Sequence, residues 1–442
     1  MASSQDKLGF NATWSMSVGG MVGGGIFSTL GVVIGIAGAW TWLSFVAAGL
    51  VAFAAGYSYV RLATHYGEGG GAFTFLREIN ANGFAGTLSW VLIVGYVLTN
   101  SVYAFTFGQY VGHVVGLGPW FPRFAAVAIM AVFIGLNLRG VGEAGGVEVV
   151  LVWFKLAVLV GLAGWGLYHW NPAMLSRGAP SAGIMAALFG AASVFMAYEG
   201  FQLLTYDYDD IENPDKTLPR AVLSSIVVVI GVYVVVALGT VMIIGADQVM
   251  AHKEVALAVA GQAAFGIPGL ILVSIGAAFS TGSAINSTLF ATARLAETVA
   301  EDGELPAALE RRNRMGVPDR AVIGLGVLAA VMAAIGSLDT LVETASLAFL
   351  FTFGVVCALA FRLNVGQRAL TGFGALAAFL ATGALMVRLA RTDPTALIIL
   401  VVLVLIAAFG RPFLLRRVRT DSPVEPVAVG RTAGSRHETD RE

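Results

Sequence analysis

Polar and apolar positions along the chain fall into long, nearly uninterrupted apolar runs joined by short polar connections. A helix that crosses a bilayer needs roughly 20 mostly apolar residues. Twelve windows meet that length, near 11–38, 40–60, 82–113, 120–138, 147–168, 182–206, 219–244, 267–293, 320–337, 340–361, 369–390 and 395–415. The fourth is the weakest, because its uncharged core from Phe124 to Leu138 is short. The pattern predicts an all-α polytopic membrane protein of about twelve transmembrane helices, with residues 1–420 as one transmembrane domain. The polar stretch 421–442, rich in Pro, Ser, Thr and Arg, reads as a disordered tail. The opening residues MASSQDKLGF lack the basic, apolar, then small-residue order of a cleavable signal, so the first run is expected to be a retained helix.

Composition sharpens this picture. Of the 442 residues, 57% are hydrophobic and 12% charged, with a mean hydropathy of +0.81. Soluble domains carry about 25% charged residues, so half that number leaves too little polar surface to coat a soluble globule. The 55 glycines point the same way. A formal net charge of −1 gives no reason to expect a nucleic-acid partner. The single cysteine, Cys357, excludes an internal disulfide and lies in an apolar run as a small packed hydrophobe. The five histidines, His65, His113, His169, His252 and His437, are scattered, form no metal-spaced cluster and make no catalytic pattern with acidic or hydroxyl residues. Neither a cofactor nor an enzyme activity is expected.

Basic residues set the orientation, since they favour cytoplasmic loops. With twelve spans, the side bearing both termini holds twenty of the 26 Lys and Arg residues. The other side holds five (Arg123, Arg177, Lys253, Arg388 and Arg391), and the last, Lys155, lies inside a span. An odd number of spans spoils this split. The bias predicts a cell-membrane protein with both termini in the cytoplasm.

Two spans carry features that a plain packing helix does not need. The first contains GGMVGGGIFSTLG, residues 19–31, in which five of the seven residues Gly19–Gly25 are glycine. Each costs up to about 1 kcal/mol relative to alanine in a helix. Either small residues let helices approach closely, or the helix unwinds near the midplane and offers backbone groups to a solute. The end of the sixth span and the residue after it read FMAYEGFQLLTYD, residues 195–207, where Gly200 follows Glu199 within apolar sequence. A carboxylate at that depth costs about 2.5–3.5 kcal/mol on insertion scales and is a functional candidate. Breaks at corresponding places in two halves point to a transporter's binding site, and spans one and six would begin the halves of a five-plus-five inverted repeat. Glu199 has three candidate roles: pairing with a cationic substrate side chain, proton coupling, or capping freed backbone N–H groups.

At these residues the chain resembles the amino acid–polyamine–organocation superfamily. GGMVGGGIF is similar to the family's first-helix signature. YGEGGGAFTFLRE (66–78), FMAYEGF (195–201), IENPDKTLPRA (211–221) and STGSAINSTLFATARLAETVAEDGELP (280–306) resemble it in order and span most of the chain. The resemblance implies a leucine-transporter-type fold with repeat one near 11–168, repeat two near 182–361 and two peripheral helices near 369–415. It implies an amino acid permease that works by alternating access. Carried over, the substrate carboxylate would meet freed N–H groups around Val22, Gly23, Gly24 and Gly25, and its amino group the carbonyls near Met21, Ala197 and Tyr198. A large aromatic side chain often covers the family's site at the position of Met196, so methionine departs from the pattern. Asn100, polar and central in the third span, lines the pocket or makes an interhelical bond. The loop 66–78 is a gate or a short amphipathic surface helix, and Asp207, Asp209, Asp210 and Glu212 read as a solvated cytoplasmic face.

Lys155 is the most informative charge. It is the ninth residue of the window 147–168, roughly 12 Å from one end at 1.5 Å per residue. Val22 in the first span and Ser280 and Thr281 in the eighth fall at similar depth. In sodium-driven members of the resembled fold, a cation is held at positions matching Gly19, Val22, Ala277, Ser280 and Thr281, and the Lys155 ammonium could take its place. Snorkelling to the headgroups is the alternative, although VVLVWF and LAVLVGLAG on either side offer no polar path. A titrating lysine makes proton-coupled symport of amino acids or related amines the leading expectation, with a proton as coupling ion and membrane lipid as the surround. Exchange without proton coupling stays open, since a permanently charged lysine would simply replace the ion. A non-transporting amino acid sensor of the same fold is the third reading.

Overall fold

The computed structural model describes residues 7–67, 69–79, 81–140, 145–394 and 397–398. Helices α1 (Phe10–Ala37) and α2 (Thr41–Tyr66) lead, joined by a tight turn at Gly38–Trp40. The short α3 (Ala72–Glu78) precedes α4 (Asn82–Val115), α5 (Phe121–Leu138) and α6 (Gly145–Tyr168). After the four-residue α7 (Ala173–Ser176) comes α8 (Ala186–Ser193), which continues as separate 3-10 turns at Phe195–Tyr198 and Phe201–Thr205. Then follow α9 (Pro214–Ala251), α10 (Ala256–Glu301), α11 (Asp319–Ile335), α12 (Leu338–Arg362) and α13 (Arg368–Thr392). The described residues are all-helical apart from turns and connections, and each of the first eleven apolar windows coincides with a helix or, for 182–206, with the broken one. The twelfth window, 395–415, lies outside the described residues apart from Leu397 and Ile398, and so does the tail 421–442.

Among the described residues, eight helical runs are long and apolar enough to cross a membrane, and the first of them, Phe10–Tyr66, contains both α1 and α2. The windows ending at 244 and starting at 267 stop where the backbone does. Gly245 (φ 80°) and Gly266 (φ 67°) interrupt α9 and α10, and Pro268 follows the second. Only glycine adopts such dihedrals freely. Sequence patterning missed the two short helical segments beyond these glycines.

Burial separates core from rim. The central window of α4 is 89% buried and that of α12 83%, against 22% for α5 and 28% for α13. α1 packs against α6, α9 and α10. Lipid tails are as apolar as leucine, so close contact through small residues and polar bonds, rather than a hydrophobic drive, holds such helices together. At one end of the bundle, Leu8 pairs with the strand-like segment at Ile211 through Leu8 N–H to the Asp210 carbonyl (2.8 Å) and Glu212 N–H to the Leu8 carbonyl (2.9 Å). The start of α1 and the segment after the sixth span are therefore at the same end, as an even number of intervening crossings requires.

The loop after α2 is a short amphipathic helix. Phe73, Phe75 and Leu76 of α3 are buried, while Arg77 reaches Asp302 at the end of α10 (2.6 Å).

Candidate substrate and coupling sites

The sixth span breaks where expected. Glu199 is extended (ψ 147°) and Gly200 takes φ 122°, so the helical ladder stops between Tyr198 and Phe201. The first span does not break. α1 keeps helical geometry through Met21, Val22, Gly23, Gly24 and Gly25, which corrects the expected unwinding. Its glycines instead serve close approach. A Cβ on Gly23 would lie 2.3 Å from the Ala284 methyl, and one on Gly25 2.6 Å from the Ala197 carbonyl oxygen. Glycine runs serve equally for a break and for contact, and here contact explains them.

The groups freed at the sixth-span break are taken up by side chains that the sequence reading did not single out. The Met196 N–H donates to Ser346 on α12 (3.0 Å), and Ser346 in turn donates to the Ser193 carbonyl (2.8 Å). The Gly200 N–H donates to Gln202 Oε1 (3.0 Å). The Tyr233 hydroxyl on α9 lies 2.7 Å from both the Met21 and Ala197 carbonyls and can donate to one at a time. These two carbonyls are the ones that the family resemblance assigns to a substrate amino group. Tyr198, also fully buried, donates its hydroxyl to the Phe45 carbonyl on α2 (2.7 Å).

Glu199 is buried within this network. Its Oε2 accepts from Tyr103 on α4 and its Oε1 from Gln202 Nε2, both at 3.0 Å, and Gln202 also donates to the Tyr96 hydroxyl (3.2 Å). Of the three roles open to Glu199, capping of the Gly200 N–H is performed by Gln202 instead, which the carboxylate holds in place. Asn100 on α4 donates to the Tyr96 carbonyl of its own helix (3.1 Å), and its carbonyl oxygen has no hydrogen-bond partner among the described residues.

Lys155 is 1% exposed, which contradicts snorkelling. Its ammonium donates to the Gly19 carbonyl on α1 (3.1 Å) and lies 4.0 Å from Glu148 Oε1, seven residues earlier on α6. One turn along α1, the Val22 carbonyl accepts from Ser280 on α10 (2.5 Å). The predicted cation-site positions Gly19, Val22, Ser280 and Lys155 therefore meet at one junction of three helices. Thr281 turns to its own helix and donates to the Ala277 carbonyl (2.8 Å). Glu148 escaped the sequence reading, although its spacing of two turns from Lys155 on an apolar helix was a usable signal.

A cavity of about 410 Å³ enters from the end where Leu8 and Asp210 lie and reaches Gly20 and Gly200. Of the proposed substrate residues only Gly200 lines it. Met21, Val22, Gly23–Gly25, Asn100 and Met196–Glu199 are buried beyond it. Its wall includes Asn137, Asn286, Ser287, Asp207 and Arg294. Asp207 is half-buried rather than part of a solvated face, and burial pushes its carboxyl up to about 6 against the pull of nearby Arg294. Asp209, Asp210 and Glu212 are exposed, as read.

Comparison with known proteins shows the family. The amino acid permease family matches residues 8–423. An uncharacterized protein of Methanocaldococcus jannaschii is 34% identical over 69% of the chain and 71% of its own length. The inner membrane transport protein YbaT of Escherichia coli is 32% identical over 81% of the chain and 84% of its own. The serine/threonine exchanger SteT of Bacillus subtilis is 24% identical over 68% and 70%, respectively.

Proposed function

The chain belongs to the amino acid permease family, and on that footing we propose that it moves amino acids or related amines by alternating access, coupled to a proton carried by Lys155. It is a membrane transporter of amino acids and not an enzyme. The observation that carries the proton-coupled reading is the bond from the buried Lys155 ammonium to the Gly19 carbonyl of α1, beside the Ser280–Val22 bond. A charged donor makes a stronger hydrogen bond than a neutral one, about 1.5–3 against 0.5–1.5 kcal/mol. Loss of the lysine proton therefore weakens the tie between α1 and α6, which is the kind of bias that a two-state carrier needs.

The substrate site in this reading is the junction of α1 with the sixth-span break, where Met21 and Ala197 carbonyls face one hydroxyl, Tyr233. The cavity that reaches Gly20 and Gly200 would be the path to one side of the membrane. Counted with α2, the broken sixth span, α11 and the window 395–415, the spans come to twelve. The first ten form the five-plus-five repeat, and the excess of basic residues on the side of the termini makes that side cytoplasmic.

Exchange without proton coupling is the second reading. It is favoured by the name of the Bacillus subtilis relative, an exchanger, and by the fact that a permanently charged lysine makes the same bond to Gly19. Uptake of labelled amino acids into proteoliposomes separates the two. Proton coupling predicts accumulation under an inwardly directed proton gradient into vesicles that hold no internal amino acid. Uptake that needs internal amino acid and ignores the gradient would leave exchange.

A further inference from the structure

We propose that Glu148 is the proton relay between Lys155 and the cavity, an inference that rests on the proton-coupled reading of Lys155. Glu148 is 5% exposed, and a carboxylate buried at the edge of an apolar helix needs a compensating partner. It has two. Its Oε1 faces the Lys155 ammonium at 4.0 Å, and its Oε2 accepts from the Ser283 hydroxyl of α10 at 2.6 Å. The seven-residue spacing places Glu148 and Lys155 on one face of α6, about 10 Å apart along its axis. Gly19 makes room for the contact, since a Cβ there would lie 2.0 Å from Glu148 Oε1.

Ser283 leads outward. It is partly exposed, and Asn286 and Ser287, three and four residues further along α10, line the cavity. Residues at that spacing share a helix face, and Ser287 donates back to the Ser283 carbonyl (3.1 Å). Lys155, Glu148 and Ser283 thus form a row of titratable or hydroxyl groups that runs from the α1–α6–α10 junction toward Asn286 and Ser287 on the cavity wall.

An approach of about 1 Å brings the lysine within hydrogen-bond reach of Glu148. An N–H bond of the ammonium breaks as an O–H bond forms on Oε1, leaving a neutral amine and a neutral carboxylic acid. The carboxylic acid then turns its O–H toward Ser283, and the Ser283 hydroxyl turns away to donate its own proton to water on the side of Ser287 and the cavity as its oxygen takes the acid's proton, which restores the carboxylate. Among the described residues, the helices packed against α6 carry these other titratable groups. α1 carries none; α9 carries Tyr233, engaged at Met21 and Ala197, with Asp215, Lys216 and Arg220 near its start and Asp247, paired with Arg177, near its end; and the Arg294, Glu297 and Glu301 side chains of α10 begin eleven residues beyond Ser283.

The test compares Glu148→Gln, Ser283→Ala and Lys155→Ala in proteoliposomes, with two readouts each: gradient-driven net uptake of labelled amino acid, and counterflow at equal pH. Glutamine keeps the shape and can still accept from Ser283, but it cannot take a proton. The relay predicts that Glu148→Gln loses gradient-driven uptake by about a hundredfold more than it loses counterflow, the low end of what a positioned proton-transfer group contributes. Its uptake should also flatten with pH. Ser283→Ala should shift both readouts in the same direction by less, and it keeps the question answerable if Glu148→Gln does not fold. A merely structural Glu148 would depress both readouts alike and leave the pH profile in place, which overturns the relay. Full gradient-driven uptake in Glu148→Gln, with loss in Lys155→Ala, also overturns it while the coupling role of Lys155 stands. Retention in Lys155→Ala overturns the coupling reading itself.

Discussion

Gly20 and Gly200 meet backbone to backbone: a Cβ on Gly20 would lie 2.9 Å from the Gly200 Cα, and one on Gly200 2.6 Å from the Gly20 carbonyl carbon. Both residues line the cavity, and the contact exists only because neither has a side chain. Gly200 also takes φ 122°, a region that L side chains rarely adopt. Gly200→Ala therefore combines backbone strain of about 1–3 kcal/mol with a clash against α1. The expected result is a lower melting temperature in detergent and transport reduced further than stability alone explains. Gly20→Ala, with no such dihedral, is expected to disturb transport with a smaller stability loss. Equal melting temperatures for Gly200→Ala and wild type would show that the break is not held as described.

Glu199 links α4 to the sixth-span break through Tyr103 and Gln202. Glu199→Gln replaces an acceptor-only group with one that also carries two N–H donors, so one of the two bonds to it must reorganise. The expected loss is about 1–3 kcal/mol of stability, the range for a disturbed buried polar group, with little change in the ranking of neutral against cationic amino acids. Competition assays on wild type and variant check this. Selective weakening of cationic substrates would mean that the carboxylate pairs with them instead.

Asp207 stands at the cavity wall with its carboxyl pushed up to about 6 by burial, while a free aspartate sits near 3.9. A carboxyl whose folded value is raised favours the folded state when protonated. That contribution is fully present below about 4 and is lost as pH rises through 6. Thermal unfolding of wild type should thus weaken between pH 4 and pH 7 by about 1–2 kcal/mol more than that of Asp207→Asn. Parallel curves for the two proteins would show that Asp207 is solvated like its exposed neighbours Asp209 and Asp210.

The apolar windows, the position of Lys155 and the Glu199–Gly200 interruption were legible in the sequence because each is a local departure from a strong pattern. The breaks at Gly245 and Gly266 coincide with the window edges for the same reason. Partners across helices were not legible. Tyr103 meets Glu199 from 96 residues away and Tyr233 meets Met21 from 212, and no periodicity within one span tells which faces of two spans meet. The glycines of α1 misled because a glycine run serves a break and a close contact alike, and only the neighbours, Ala284 and Ala197 among them, decide between the two. Glu148 was hidden by its place near the start of its span, where a carboxylate looks like a loop residue.

The central claim is that the bond between Lys155 and the Gly19 carbonyl makes and breaks with one proton during transport. The most direct measurement follows the internal pH of proteoliposomes with a trapped dye while amino acid is added outside, for wild type and Lys155→Ala. The account predicts that the wild-type lumen acidifies on addition of a neutral amino acid and that the Lys155→Ala lumen does not, although labelled substrate still exchanges. Substrate-dependent acidification at the wild-type rate in Lys155→Ala would contradict it.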